Sequence, residues 1–178
     1  MTKKEALLIL ATLRAAFPQA YANSTQADTE AAVNLWTEMF DGDTGAEVST
    51  AVKALIATRT NSFPPAIGEV KEQLYKLRHQ NDLKEDDAWN LVVKAARNSG
   101  YHAQEEFDRL PEIVKQCVGS PNQLRDWGLM DSDDFFSVIQ SHFLRAFRAR
   151  SQSEREMDKL PEDVRQMLTE SMNRFFLE

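Results

Sequence analysis

Cysteine, glycine and proline are scarce in this sequence. Its 178 residues include one cysteine, six glycines and six prolines. The single thiol, Cys117, excludes an intrachain disulfide and a cysteine-based metal cluster, and it makes a reducing, cytoplasmic setting the default expectation. Because helix-forming alanine, leucine, lysine, glutamate and glutamine are plentiful while helix breakers are few, the composition favours helix.

Long hydrophobic runs and catalytic signatures are missing as well. No stretch approaches the roughly 20 uninterrupted apolar residues that a membrane-spanning helix needs. The sequence has no Gly-x-x-x-x-Gly-Lys-Ser/Thr phosphate loop, no Gly-x-Ser-x-Gly and no His-Glu-x-x-His. Its three histidines lie far apart, without acidic or cysteine neighbours at metal-ligand spacing. We therefore expect a protein that is not an enzyme and that has no cofactor, no metal and no membrane partner.

Positive charge is in deficit. The 21 Lys and Arg residues against 28 Asp and Glu residues give a formal net charge of −7. DNA-binding proteins commonly neutralise phosphates with a basic face, so this balance argues against a broad DNA-binding surface, although it does not exclude a small basic patch. We expect any DNA contact to be weak or indirect.

Amphipathic helices are predicted in the first part of the chain. Thr2-Lys3-Lys4-Glu5 and Thr44-Gly45-Ala46-Glu47 are capping-box patterns, in which a hydroxyl and a carboxylate satisfy free N–H groups at a helix start. Ser24 or Thr25 is the expected cap of the helix between them. The predicted helices span residues 2–17, 26–40 and 44–58, and each has one apolar stripe.

A proline corner follows at Phe63-Pro64-Pro65. A residue before proline is driven toward extended backbone, so the preceding helix cannot continue, while Pro65 suits the first turn of a new helix. That helix, predicted to run to about residue 80, has an apolar stripe at Ile67, Val70, Leu74 and Leu77. We expect a stiff elbow with Phe63 as an apolar plug, and an N-terminal four-helix bundle-like domain over residues 1–80.

A second, smaller helical domain is predicted over residues 85–178, which makes the fold class all-α. Ser99-Gly100 is expected to stop a helix at residue 98. Proline starts and glycine ends two short segments, 111–118 and 121–127. A long helix begins near Ser132, and its polar tail, residues 151–158, is expected to project or fray. Pro161 starts a last helix.

Candidate interaction residues lie on the last two helices. Arg148 and Arg155 could contact phosphates or an acidic partner, and the alternative is a solvated face with carboxylates nearby. The last helix offers soft, adaptable side chains of the kind that repack on partners, and the alternative is that they close the core of the second domain. These residues are Met167, Leu168, Met172, Phe175 and Phe176.

The elbow sequence ATRTNSFPPAIGEVKEQL, residues 57–74, together with the three preceding helices, resembles the N-terminal domain of the phage replicative helicase loader/inhibitor family. The resemblance covers about residues 1–77. It implies a phage DNA-replication protein that binds a hexameric replicative helicase, of the phage or of the host, as a non-ATPase loader or inhibitor in the cytoplasm of an infected or lysogenic bacterium. It also implies that the C-terminal part contacts the helicase and the N-terminal domain an origin-binding initiator protein.

The alternative is a DNA-binding replisome or origin protein in which the elbow and the following helix act as a helix-turn-helix. The proline corner argues against it, and Val70-Lys71-Glu72-Gln73 offers few side chains that could read bases.

Overall fold

The computed structural model describes residues 1–175, with the side chains of residues 1–171, and this part of the chain contains helices and loops but no β-strand. The predicted all-α fold class is confirmed. The helices are α1 (Lys3–Ala16), α2 (Gln26–Met39), α3 (Gly45–Thr58), α4 (Ile67–Arg78), α5 (Glu85–Asp108), α6 (Glu112–Val118), α7 (Pro121–Leu129), α8 (Ser132–Asp134), α9 (Gln140–Asp158) and α10 (Glu162–Phe175). A 3-10 turn, Pro18–Tyr21, follows α1, and a π-helical turn, Phe135–Ile139, joins α8 to α9.

The chain forms two compact units. The first consists of Met1–Gln80 together with residues 156–175, and the second of Asn81–Arg155. The division into domains 1–80 and 85–178 stays a prediction, but the packing differs from it in one respect, because the last helix groups with the first unit. Its attachment there is polar, as described below, and an apolar pattern does not reveal such an attachment.

Capping boxes start the first three helices. In each, a threonine hydroxyl accepts from the backbone N–H three residues on, and the carboxylate at that position accepts from the threonine N–H. The pairs are Thr2 with Glu5, Thr25 with Asp28, and Thr44 with Glu47. A cap of this kind stabilises a helix by about 1 kcal/mol, so the three helix starts are fixed locally.

The core of the first unit comes from the apolar stripes of α1 to α4. Helix α1 packs against both α2 and α3, and α3 packs against α4. The buried side chains are Ala6, Ile9, Leu10, Leu13, Trp36, Phe40, Val48, Ala51, Val52, Val70 and Leu74. The bundle-like arrangement of these four helices stays a prediction.

The elbow differs from its predicted form. Ala66 is the N-cap of α4, so Pro65 lies before the helix and not in its first turn. The prediction that Phe63 plugs the corner is wrong, because its side chain is 71% exposed, whereas Pro65 is buried. The corner is closed by Arg59 instead, which forms an ion pair with Glu69 of α4 and donates to the Phe63 carbonyl.

The core of the second unit surrounds Trp89 of α5. Its ring lies 5.0 Å from that of Phe135 and 5.6 Å from that of Phe143, measured between centroids. Helix α5 packs against α6 and α7. The remaining buried side chains are Ala88, Val92, Ala95, Ala96, Leu110, Val114, Val118, Leu124, Trp127 and Phe147.

Helix α5 does not stop at Ser99-Gly100 as predicted. The Ser99 hydroxyl is buried and donates to the carbonyls of Ala96 (2.7 Å) and Leu124 (3.2 Å), so it lies against α7 within a continuous helix. Among the described residues, only Gly119 has a positive φ, 91°. Helix α6 ends there, as predicted, whereas α5 bends only at His102, where φ is −124°.

Gly128 also has a role other than the predicted helix stop, since α7 continues to Leu129. A Cβ atom at Gly128 would lie 2.3 Å from the Ala96 carbonyl oxygen, so α7 and α5 meet closer than any side chain permits. The prediction that residues 151–158 project or fray is wrong as well. They are helical, and Met157 and Asp158 are half-buried in the first unit.

Candidate partner-binding surfaces

A cluster of charged side chains joins the turn before α3 to helices α3 and α4. Asp43 accepts from Lys71 Nζ at 2.7 Å and pairs with Arg78 at 2.9 Å, and Arg78 also pairs with Glu47 at 3.0 Å. The Lys71 ammonium lies 4.7 Å from the centroid of the Phe40 ring, a distance at which a cation is attracted to the ring. Both Lys71 and Asp43 are 7% exposed, so this part of the cluster is internal.

The charges of the cluster are stabilised by its hydrogen bonds. The bond from Arg78, followed by that from the Thr44 hydroxyl, lowers the pKa of Glu47 to about 2. The bond to Glu47 in turn raises the pKa of Arg78. Both groups therefore remain ionised at neutral pH, and the cluster is a structural joint between α3 and α4.

The geometry of this region is unlike a helix-turn-helix. Residues 59–66 separate α3 from α4, whereas the turn of that motif has about 3–4 residues. Val70 and Lys71 are buried, and Glu72 pairs with Lys76 and Lys159. This stretch of α4 consequently does not present base-reading side chains to solvent.

The C-terminal segment is attached to the first unit by polar contacts. Lys159 forms an ion pair with Glu72, and Asp158 lies 3.9 Å from His79 Nε2. The backbone N–H of Glu162 donates to Asp41 at 3.4 Å. These contacts surround a charged cleft of about 260 Å³. Attachment through charges means that α10 does not need its apolar side chains to hold it in place.

Arg165 fixes the turn between α9 and α10. Its guanidinium donates to the carbonyls of Asp158 and Leu160, each at 3.2 Å. These carbonyls lie at and just beyond the end of α9, where backbone acceptors lack helical partners. The side chain therefore sets the angle at which α10 leaves α9 and lines the charged cleft.

The predicted partner residues of α10 are accessible where the structure describes them. Met167 is 67% exposed and Leu168 is 42% exposed. These two do not close a core. The side chains of Met172 and Phe175, and the whole of Phe176, lie outside the described residues.

The two predicted arginines have internal partners. Arg148 contacts Glu85 with Nε and Nη2, both at 2.7 Å, and this bond lowers the pKa of Glu85. Arg155 is half-buried and engaged in a side-chain interaction. For Arg148 this is the solvated, carboxylate-paired arrangement that the alternative interpretation expects. Their role in partner binding stays a prediction.

An apolar groove that was not predicted lies beside α1. It has a volume of about 170 Å³ and runs between α1, the 3-10 turn and α2. Leu7, Leu10, Tyr21 and Ala32 line it, and Leu7 and the neighbouring Leu8 are exposed. The sequence held a signal for it, because both leucines lie off the stripe that α1 buries.

The remaining candidates have structural explanations. Cys117 is half-buried, and burial raises the pKa of its thiol, which makes it less reactive. In the described part of the chain, no three His, Cys, Asp or Glu side chains are grouped so that they could hold a metal ion. None of the helices described there has both the length and the apolar composition to cross a bilayer.

Comparison with known proteins gives a family match to the first part of the chain. No curated protein and no solved structure matches the chain. The family model covers residues 1–71, which include α1, α2, α3, the elbow and the first turn of α4. This confirms the resemblance predicted from the elbow sequence. Residues 1–71 of the chain thus match the N-terminal domain of a phage helicase loader/inhibitor family.

Proposed function

We propose that this protein acts in phage DNA replication, where it binds a hexameric replicative helicase and serves as its non-ATPase loader or inhibitor. The observation that carries the proposal is the match of residues 1–71 to the N-terminal domain of a phage helicase loader/inhibitor. The absence of a phosphate-loop sequence accords with a protein that acts by binding. Its place of action would be the cytoplasm of an infected or lysogenic bacterium.

The helicase-binding surface that we propose is the outer face of α10. Polar contacts attach this helix to the first unit, so Met167 and Leu168 remain accessible. The sequence continues the apolar pattern at Met172, Phe175 and Phe176. An amphipathic helix with methionine and phenylalanine anchors suits a hydrophobic groove on a partner, because such side chains adapt to the groove they enter.

The second partner implied by the resemblance is an origin-binding initiator protein, which we place on the N-terminal unit. The apolar groove between α1 and α2 supports this placement, since Leu7 lines it and Leu8 is exposed beside it. Exposed apolar side chains next to a groove are typical of protein contact sites. The two proposed surfaces lie on different helices, so a variant of one leaves the other intact.

The test is complex formation by the full chain with the host replicative helicase and, where the phage encodes one, with the phage helicase. Size-exclusion chromatography with light scattering should show a stoichiometric complex. The double variant Met167→Ser/Leu168→Ser should weaken it by about 10-fold or more, because a buried anchor commonly contributes over 1 kcal/mol. Leu7→Ser/Leu8→Ser, which changes exposed apolar residues of α1, is the matched control and should bind the helicase normally.

Three results would count against the proposal. Absence of a complex between the full chain and any of these helicases would overturn the function. Normal binding after truncation at Leu160 would show that α10 is not the contact. Tight, salt-sensitive binding of duplex DNA would favour the helix-turn-helix alternative, which the burial of Lys71 disfavours. The ATPase and unwinding rates of the helicase in the complex distinguish loading from inhibition.

A further inference from the structure

The middle of α5 differs in charge from the rest of this acidic protein. Residues 88–104 contain Lys94, Arg97 and His102 but no Asp or Glu, although the chain has 28 acidic residues. Acidic side chains begin immediately on either side, at residues 85–87 and 105–106. The middle of this helix is therefore a local region of positive charge.

The exposed residues of this region form one line along the helix. Asn90, Lys94, Arg97, Asn98 and Tyr101 recur at spacings of four, three, one and three, which places them on one helical face. Tyr101 is 99% exposed, and Lys94 is the least exposed of the five. At a rise of 1.5 Å per residue, this face, the α5 stripe, extends about 16 Å.

A second aromatic ring lies beside the other end of the α5 stripe. An open cleft of about 410 Å³ is lined by Trp89, Asn90, Val93, Lys94, Arg97, Asn98 and Phe136, and this lining includes no carboxylate. Phe136 is exposed on the π-helical turn, and it meets the buried Trp89 edge to face, with centroids 6.3 Å apart. The ring is thus held in place while part of it stays accessible.

The cations of the α5 stripe are available for a ligand. Within the part of the chain that the structure describes, neither Lys94 nor Arg97 has a carboxylate partner, whereas Arg59, Lys71, Arg78 and Arg148 each form an ion pair. Two unpaired cations one helical turn apart, with aromatic rings at both ends, complement an anionic ligand that also has flat, apolar faces.

We propose that the α5 stripe, together with Phe136, binds a short tract of single-stranded DNA. Lys94 and Arg97 contact successive phosphates, bases stack on Phe136 and Tyr101, and the amides of Asn90 and Asn98 contact base edges. An acidic peptide would satisfy the cations but leave both rings and both amides unused. The choice of DNA over RNA rests on the proposed function, whereas the preference for a single strand rests on the geometry.

Fluorescence anisotropy of the full chain with a labelled oligothymidylate of about eight nucleotides tests the proposal, since single-strand sites of this kind cover roughly 4–16 nucleotides. Two phosphate contacts predict that log K falls with log salt at a slope of about −1.4. Lys94→Gln/Arg97→Gln should bring the slope close to zero. Tyr101→Ala, at a position that packs on nothing, should weaken binding about 5- to 150-fold through the lost stacking.

The matched control is Lys3→Gln/Lys4→Gln, which removes the same charge from exposed positions of α1 and should leave both the affinity and the slope unchanged. Phe136→Leu tests the second ring while keeping an apolar side chain against Trp89. The proposal is overturned by absence of binding at low salt, by an equal loss in the control, or by equal affinity for duplex DNA or oligouridylate. Loss of helicase binding instead of oligonucleotide binding in the stripe variants would assign the surface to a protein. Because the helicase assay is separate, failure of this proposal is distinct from failure of the proposed function.

Discussion

Removal of Asp43 should destabilise the first unit more than removal of its partner Lys71. The two are equally buried and joined at 2.7 Å. Asp43 has a second cation, Arg78, at 2.9 Å, whereas Lys71 has no other described anion and only the Phe40 ring nearby. The Asp43→Ala variant therefore leaves a buried ammonium unpaired, while Lys71→Met leaves a carboxylate that keeps a partner.

The expected magnitudes follow from this asymmetry. Breaking a buried pair by removing one partner costs about 3–5 kcal/mol, and we expect Asp43→Ala to lie in that range. Lys71→Met should cost about 1–3 kcal/mol, the contribution of one charged hydrogen bond. In the double variant Asp43→Ala/Lys71→Met no buried ammonium remains, so its cost should fall at least about 1 kcal/mol short of the sum of the single costs.

Hydrogen exchange of the full chain, followed by mass spectrometry, measures these costs in the correct unit. Peptides from α3 and α4 report the local free energy of opening. Peptides from α5 and α7, which belong to the second unit, should be unchanged and serve as the internal control. The reasoning is refuted if Lys71→Met costs as much as Asp43→Ala, or if the double variant equals the sum of the two.

Two further predictions concern close packing and pH. Gly128→Ala should destabilise the second unit by about 1–3 kcal/mol in thermal unfolding, because its Cβ would lie 2.3 Å from the Ala96 carbonyl oxygen; Gly68→Ala, in a helix with open space around it, is the control and should be neutral or stabilising. Equal loss from both substitutions would contradict the packing argument. Because Arg78 lowers the pKa of Glu47 to about 2 from its usual 4.5, its contribution to stability is complete above about pH 4.5 and is lost as the pH falls toward 2. The full shift corresponds to about 3 kcal/mol, but at 42% exposure solvent screening reduces it to about 1 kcal/mol; Glu47→Gln should therefore flatten the acid side of a stability–pH curve, and an unchanged curve would refute the assignment.

Local signals predicted the starts of the helices well. Thr2, Thr25 and Thr44 each cap a helix through contacts within four residues, so short sequence patterns contain all the partners involved. The apolar stripes of the first unit likewise became its core. Where all the interacting groups lie within one or two turns, the sequence is sufficient for prediction.

Features that depend on distant contacts were mispredicted. Ser99-Gly100 is a stop signal by itself, but a hydroxyl bond to the Leu124 carbonyl accompanies a helix that continues. Gly128 is required by the approach of another helix and not by a turn. Phe63 lost its predicted place in the corner to the ion pair of Arg59 with Glu69.

The candidate surfaces were predictable to different degrees. Met167 and Leu168 were identified from their spacing, but the first unit as the place where α10 attaches was not, because ion pairs between distant residues leave no periodic pattern. The α5 stripe could have been found from the sequence, since an acid-free run that contains Lys94 and Arg97 is unusual in so acidic a chain.

The π-helical turn at Phe135–Ile139 has a consequence for how this chain tolerates length changes. A π turn holds one residue more than the α-helix around it needs. Deleting a single residue there would restore an ordinary α-helix and rotate everything after it by about 100°. Phe143 would then leave the core and Arg148 would turn away from Glu85. This short segment thus sets the angular phase of α9, and a one-residue gap within it would be far more damaging than a substitution at any single position of the turn.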